Sequence, residues 1–480
     1  MPIFSHIIQR KHATILALLM LVSLFMISRV ALLRHWSVSS YHFDLGNMHQ
    51  AVYNTSKGHF LEVTDPNKFY QSNRLAYHFD PILALIAPLY WFYPKAEVLI
   101  IVQALVLVLG AIPLYMLSYQ VFKNKLYALA ISAMYLVYYP MHYTAIADFH
   151  AVTLSSTFVL CMFYFAELKR FKMSIFFIVL LWMTKENTPL LTFFFGMYHL
   201  LFKKNRMFGA TLMITSVLLF IAVIKIIIPS FRISDPHFAG GYYTTDLIEN
   251  MRRTFNDQTG RYIVSLLSPV LFISLLSPIH FLIALPEYAL NILSKNSNMR
   301  VLNYHYTALI TPFIFISLLY GLENARKSIK KISSKNIYPH IFFVLFLCSL
   351  AFFMHKSPVI SSQYHINNKK SAIIAEWQKT LDDDEIPVSA TGHLSPYFSG
   401  RHYFYNFLFD FAYSVQGYSD ADIKALAHHY RMADYVLIQE SEVEDNEMTE
   451  YYYYELQRDP LFEKVFDEEG IEVYKKKLVK

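Results

Sequence analysis

From Tyr41 to Pro81 the chain reads YHFDLGNMHQAVYNTSKGHFLEVTDPNKFYQSNRLAYHFDP, a polar island in a sequence that is otherwise mostly apolar. It follows the apolar run Ala13–Leu33 and contains two Phe-Asp pairs, Phe43-Asp44 and Phe79-Asp80. Polar residues packed this densely beside hydrocarbon-loving segments must face water or a polar ligand. The composition around the island decides the class. Hydrophobic residues make up 55% of the 480 and charged residues 16%, against about 25% charged in soluble domains. Apolar runs near the roughly 20-residue bilayer requirement recur through the first three quarters. The expected fold is an all-α polytopic membrane domain over 1–355, followed by a small α/β domain over 356–480.

Charge supports two units. From Lys356 onward there are 13 Lys+Arg and 22 Asp+Glu, a net of −9; the remainder carries 29 and 14, a net of +15. Basic residues in the first part are explained by orienting loops and anionic lipid head groups, and no nucleic acid is needed. Cys161 and Cys348 both lie in apolar runs, so there is no disulfide framework or zinc cluster to read. The first span, Ala13–Leu33, reads as a retained signal anchor, because no small-residue cleavage site precedes Arg34-His35-Trp36.

Further spans are expected at Ala96–Phe122, Leu126–Tyr139, Ala151–Leu168, Met173–Thr184, Thr188–Phe202, Met207–Pro229, Thr307–Leu322 and Ile337–His355. Ile263–Ser294 is too long for one crossing and is interrupted by Ser277-Pro278, so it reads as two short helices, in and back; this makes about eleven spans. Ile82–Tyr93 is short, flanked by prolines and rich in aromatics, which suits a surface-lying or re-entrant helix. Polar outer loops cover 34–81 and 230–262. Lys123/Lys125, Lys169/Arg170/Lys172, Lys203/Lys204/Arg206 and Arg326–Lys335 then fall on the side of Arg10/Lys11. The positive-inside rule makes that side the cytoplasm, with the C-terminal domain on the other side of the membrane.

In the tail, Lys369–Leu381, Asp420–Met432 and Glu447–Arg458 read as helices. Ile386–Ala390, His402–Asn406 and Tyr435–Gln439 read as strands, and Phe462–Asp467 with Ile471–Lys475 as a hairpin turned at Glu469-Gly470. No Gly-rich phosphate fingerprint accompanies them.

With this topology the unusual polar motifs share the outer face: Asp44, His78 with Asp80, Asp148 with His150, Lys185 with Glu186, Glu287 with Asn291, and Tyr304 with His305. Ionisable groups at membrane depth usually line a cavity or pathway. Each also has a structural use. Asp44 suits the cap of a helix running to about Ser56 with Gly58 as its stop, and Asp80 before Pro81 suits an N-cap. Asp148 and His150 precede a span. Lys185-Glu186 fits a membrane-edge ion pair, and His305 an interfacial anchor. No GxSxG elbow, HExxH helix or P-loop is present. The chemistry left open is a carboxylate acting as general base towards an acceptor hydroxyl, with Lys185, Arg74 or Arg300 binding a phosphate. Asp, Glu and His side chains also suit a divalent cation such as Mg or Mn.

The runs Phe43–His59, His78–Trp91, Gln103–Tyr115, Asp148–His150, Lys185–Asn187, Leu285–Ser294 and Tyr304–Tyr306, with Ala433–Leu437 in the tail, resemble a bacterial domain-of-unknown-function family of polytopic membrane proteins. That family is grouped with the GT-C membrane glycosyltransferases. The resemblance implies transfer of a sugar from a polyprenyl-phosphate donor to an extracytoplasmic acceptor. It places Asp44 as the base or metal-linked carboxylate, with Asp80, Asp148, His150 and Glu186 in support. Asp44 departs from the pattern in having no adjacent acidic partner. The residues expected to do chemistry are Asp44, Asp148 and Glu186; those expected to bind substrate are His78, Asp80, His150, Lys185, Glu287, Asn291, Arg300, Tyr304 and His305. Membrane lipid and a lipid-linked sugar donor are the expected partners. A lipid-linked substrate carrier and a non-enzymatic scaffold with a partner-binding outer domain are the alternatives.

Overall fold

The computed structural model describes residues 2–64, 70–232, 242–332, 338–407, 429–444 and 447–477. Five helices among these are long and apolar enough to cross a membrane: Lys11–Trp36, Glu97–Phe122, Arg206–Phe231, His305–Ile329 and Tyr338–Lys356. Shorter apolar helices, among them Ala151–Glu167, Phe171–Trp182 and Thr188–Leu201, pack between them. Leu18, Leu21, Val22 and Phe25 on the first helix and Ile214, Leu218 and Ile221 on another are exposed. A face of this kind suits hydrocarbon, whereas Tyr135, Phe163, Phe195, Phe313 and Phe315 are fully buried between the helices.

The helices share one sense of direction towards the polar motifs. Ala151–Glu167 starts beside His150 and Thr188–Leu201 starts beside Lys185. Their far ends are tied by Lys203 Nζ to Glu167 Oε2 at 2.7 Å. Arg206–Phe231 then returns, and Arg232 Nε donates to the Ala76 carbonyl in the first loop at 2.6 Å. The basic connections therefore lie at the opposite end of the bundle from the polar motifs.

Three stretches depart from expectation. The helix expected over Leu126–Tyr139 stops at Leu136, and a second one, Tyr139–Ile146, occupies what reads as a connection. Pro140 sits in its first turn, where a missing N–H costs nothing, so the proline opens a helix here. Ile263–Ser294 does double back, with Tyr262 beside Asn291 and Gln258 beside Ser297, but the chain turns at Leu271-Phe272 and not at Ser277-Pro278. Both turning residues have positive φ, 50° and 57°, which no residue type there announces. Finally, the polar 230–262 loop contains the helix Leu247–Thr254, capped by the Asp246 side chain on the Ile248 and Glu249 amides. Leu247, Ile248, Met251 and Phe255 are exposed beside it, the arrangement of a helix lying in a membrane interface.

The first loop is ordered by local pairing. His42–Gly46 forms one wide helical turn that runs into the helix Asn47–Ser56. A short antiparallel pair follows, β1 (Glu62–Thr64) with β2 (Gln71–Asn73). Ile82–Tyr93 contains the turns Leu83–Ile86 and Ala87–Trp91, with Leu85, Leu89, Trp91 and Phe92 exposed.

The tail is a five-stranded mixed sheet in the order β4-β3-β5-β7-β6, where β3 is Val388–Ala390, β4 Phe404–Asn406, β5 Tyr435–Gln439, β6 Phe462–Glu468 and β7 Ile471–Lys476. Asn368–Thr380 packs Ile373 and Ile374 on one face with Val388, Leu437 and Val473. Glu447–Arg458 packs Tyr452 and Leu456 on the other face with Val436, Ile438 and Tyr474. The β6–β7 turn uses Glu469 and Gly470, both at positive φ. Of the expected helix Asp420–Met432, only His429–Met432 lies within the described residues, as a tight 3₁₀ turn.

This sheet docks on the first loop. Gln50 Nε2 donates to the His402 carbonyl at 3.0 Å, Gln71 Nε2 to the same carbonyl at 3.1 Å, and the Phe404 amide to Thr64 Oγ1 at 3.2 Å. Gly392 allows the closest approach: a Cβ there would lie 2.2 Å from the Tyr41 ring.

Candidate functional site

Asp44 sits in the wide turn His42–Gly46, and no helix cap is made by its side chain. Its carboxylate faces His150, Oδ1 to Nε2 at 2.9 Å, and is 36% exposed although protein surrounds it. Burial alone would raise the Asp44 carboxyl. The His150 ring with its hydrogen bond, and more distantly Arg34 and Arg74, outweigh burial and hold it below the ordinary aspartate range. His150 Nδ1 faces the Asp148 carbonyl at 2.9 Å, so both ring nitrogens meet oxygen acceptors. The neighbouring His42 is buried, which pushes it to about 3 against a partial offset from Asp44, so it is neutral.

His150 stacks on His305, centroids 3.6 Å apart. Lys185 Nζ reaches His305 Nε2 at 3.4 Å and lies 5.7 Å from the Tyr306 ring centre. Among the described residues no carboxylate lies within ion-pairing distance of Lys185. Its neighbour Glu186 binds His78 Nδ1 at 3.1 Å and accepts the Phe79 amide at 3.2 Å. Burial would raise Glu186; His78, Lys185 and a backbone amide reverse that and keep it ionised, below the usual glutamate range. Asn187 Nδ2 donates to Glu287 Oε1 at 2.8 Å. Residues from six distant stretches thus form one continuous set: Asp44, His78, His150, Lys185–Asn187, Glu287 and His305.

Other expected site residues are engaged in holding the frame. Asp148 is buried, pairs with Arg34 and accepts the Tyr41 amide at 2.9 Å. This ion pair fixes the first loop to the end of the first helix and leaves Asp148 without the freedom of a base. Asp80 does not cap a helix through its side chain; it binds Arg74 at 3.0 Å, and Arg74 also donates to Asn47 Oδ1. Arg300 Nη1 donates to the carbonyls of Asn291, Ile292 and Ser294, closing the end of helix Leu285–Leu293, and so is turned away from phosphate binding. Asn291 donates to Tyr262 Oη and the Tyr306 carbonyl, which seats the Tyr304–Tyr306 segment. Tyr304 lies at the edge, its ring 6.1 Å from Tyr306.

Two organising residues were not anticipated. Gln103, fully buried in the long apolar helix, donates to the Ala145 and Ala147 carbonyls and accepts from the His150 amide (3.0 Å) and Thr153 Oγ1 (2.8 Å). A lone amide in a continuous apolar run was its signal. Arg34 had the signal of a cation at the end of the first span next to the polar island, against the charge bias of the other connections on that side.

The donor geometry does not converge on a hard cation at Asp44. Asp44, Asp148 and Glu186 each face their own cationic or imidazole partner. Among the described residues, three ligating side chains converge only at His59–Glu62–His402 and Glu440–Asp467–Glu472. No step below runs through a metal at Asp44.

The fold is similar to that of solved structures of ArnT, a GT-C glycosyltransferase. The structure of ArnT from Cupriavidus metallidurans bound to undecaprenyl phosphate superposes with a TM-score of 0.58 at 11% identity, covering 95% of this chain and 97% of that one. ArnT from the same organism in the apo state gives 0.53 at 11% identity, covering 94% and 97%. An Archaeoglobus fulgidus oligosaccharyltransferase in the apo form gives 0.45 at 11% identity, covering 88% and 70%. No curated protein matches the sequence. Residues 34–472 match the family described as Predicted membrane protein (DUF2079), from the first loop to the last strand, and the chain belongs to that family.

Proposed function

We propose that the protein transfers a sugar, or a related group, from a polyprenyl-phosphate donor to an acceptor on the outer face of the bacterial inner membrane. The observation that carries this reading is a chain of contacts that joins opposite charges without pairing them directly: Lys185, which among the described residues has no carboxylate within ion-pairing distance, and an accessible carboxylate, Asp44, are linked through the stacked His150 and His305. The likeness to a fold whose ArnT member is bound to undecaprenyl phosphate supports a lipid-linked donor.

In this reading Lys185 binds the donor phosphate as a point charge, which compensates the charge growing on the leaving oxygen. Asp44 accepts a hydrogen bond from the acceptor hydroxyl. Held low by His150, it is a weak base at the outset and takes the proton as the hydroxyl acidifies during attack. The acceptor oxygen bonds to the sugar carbon, the bond from that carbon to phosphate oxygen breaks with its electron pair, and polyprenyl phosphate leaves. Glu186 keeps His78 and the Phe79 amide in place beside Lys185. The N-terminus lies in the cytoplasm and the tail domain outside, as the charge of the connections indicates.

The test is complementation with Asp44→Asn at normal expression, with lipid-linked sugars analysed in parallel. Full rescue with unchanged glycolipids overturns the proposal. A reporter fused after Lys480 should be active only outside the cytoplasm.

A further inference from the structure

The geometry points to a divalent transition-metal site of zinc type formed by His59, Glu62 and His402, clamping the tail domain to the first outer loop. Glu62 stands between the two imidazoles, Oε2 to His59 Nδ1 at 3.4 Å and Oε1 to His402 Nε2 at 3.1 Å. The three ligating atoms lie within 4.8 Å of one another, and the rings stack with centroids 4.6 Å apart and planes 26° apart. Two imidazole nitrogens and a carboxylate oxygen are the donors of many zinc sites. One carboxylate facing two parallel imidazoles makes a donor set, not a charge-matched pair. His59 is 48% exposed, which leaves water a route to a fourth position.

All three donors are held from outside the site. The His59 amide donates to the Asn54 carbonyl at 2.9 Å, just after Gly58 at a φ of 101°. Glu62 is fixed in β1 opposite Asn73, and its carbonyl accepts Asn54 Nδ2 at 3.0 Å. The His402 carbonyl takes both Gln50 and Gln71, while Arg401 beside it donates to the carbonyls of Leu381, Asp383, Ile386 and Phe398. Such support is what a preorganised site requires. The other converging set, Glu440, Asp467 and Glu472, has Lys464 seated on it, at 2.5 Å from Glu472 and 2.9 Å from Asp467, so its charge is already met by a cation.

A metal there would join residues 340 positions apart. It would also stiffen the β1–β2 pair, whose second strand runs directly into Arg74, the residue that holds Asp80 and the helix following Asp44. Metal binding itself does not depend on the transferase reading.

The experiment uses the full chain in lipid nanodiscs, purified without a histidine tag, stripped with chelator and titrated with Zn²⁺ against a chromophoric competitor. The wild type should bind one more equivalent than His59→Ala/His402→Ala, and Glu62→Gln should weaken that equivalent at least about tenfold. Zn²⁺ should slow proteolysis between the tail and the last helix in the wild type only. Because His402 lies in the docking face, the exposed His59→Asn serves as the second variant and should lose the same equivalent while keeping the wild-type elution profile. Equal equivalents in wild type and variants, or no saturable binding by the wild type, overturn the proposal and leave an ordinary histidine–carboxylate contact.

Discussion

The ion pair between Arg34 and Asp148 is the most exacting place to test the structure, since it joins residues 114 positions apart and no sequence pattern demands it. Asp148 is 3% exposed and Arg34 21%. Removing one member of a buried pair costs about 3–5 kcal/mol, chiefly through the charge left behind. Arg34→Gln strands the Asp148 carboxylate, but the Tyr41 amide still donates to it, which places the loss near the lower end, about 3 kcal/mol. Asp148→Asn leaves the cation on the more exposed partner, where water reaches it, and should cost less, about 1.5 kcal/mol. In the double variant two neutral amides face each other, so its loss should fall short of the sum by roughly 0.5–3 kcal/mol. Reversible unfolding in mixed detergent micelles, followed by tryptophan fluorescence, measures all three. Because Asp148 carries His150 through its own carbonyl, transfer activity should fall in each variant in the same order. If Arg34→Gln unfolds with the wild type, or the double variant equals the sum, the two side chains do not meet as described.

Asp44→Asn should keep the fold and the elution profile while lowering turnover by about 10²–10⁴-fold, read from glycolipid product. Lys185→Gln should weaken donor binding far more than it changes stability, with Lys185→Arg recovering part, measured by binding of the polyprenyl-phosphate donor to the purified protein. Gln103→Leu leaves the His150 amide without its buried acceptor and should cost about 1–3 kcal/mol in the same unfolding assay. Gly392→Val drives a side chain into the Tyr41 ring and should free the tail for proteolysis, at about 1–3 kcal/mol. Asp44 and Glu186 are both held below their ordinary values, so their contribution to stability is complete above the usual glutamate value of 4.5 and is lost as pH falls through the depressed folded values. The unfolding midpoint should therefore gain nothing from these two groups between neutrality and that value and decline below it.

Hydropathy and local periodicity placed most of the helices and tail strands to within a few residues. The helix expected over Thr307–Leu322, however, runs from Thr311 to Ile332 and takes in Arg326 and Lys327, which read as a connection. Tyr435–Gln439 and Glu447–Arg458 need only a five-residue apolar run and an acidic amphipathic repeat to be read, and both stand as expected. What resisted reading was set by contact and not by pattern. The helix Tyr139–Ile146 follows a Tyr-Tyr-Pro that looks like a stop, because the same proline ends one helix and opens another depending on what packs around it. The reversal at Leu271-Phe272 places two bulky apolar residues at positive φ, a conformation their side chains disfavour and only tertiary packing enforces. Ser277-Pro278 offered the stronger local signal and lost.

The same division separates the site residues. Their common sidedness was legible, since charge bias in the connections orders every polar motif at once. Their individual duties were not, because a carboxylate before a span looks alike whether it meets an arginine, a histidine or nothing. Asp148, Asp80 and Arg300 proved to be neutralised or spent on backbone carbonyls: Asp148 by Arg34, distant in the chain, Asp80 by Arg74 six residues before it, and Arg300 on the end of the helix Leu285–Leu293. Asp44 and Lys185 differ in what they lack: the carboxylate stays reachable beside a single imidazole, and among the described residues no carboxylate comes within ion-pairing distance of the ammonium. Electrostatic economy inside a membrane protein drives charges into pairs. A cation with no ion pair among the described residues and an accessible anion, linked only through two stacked imidazoles, are therefore the two positions at which the proposed reading places a charged ligand.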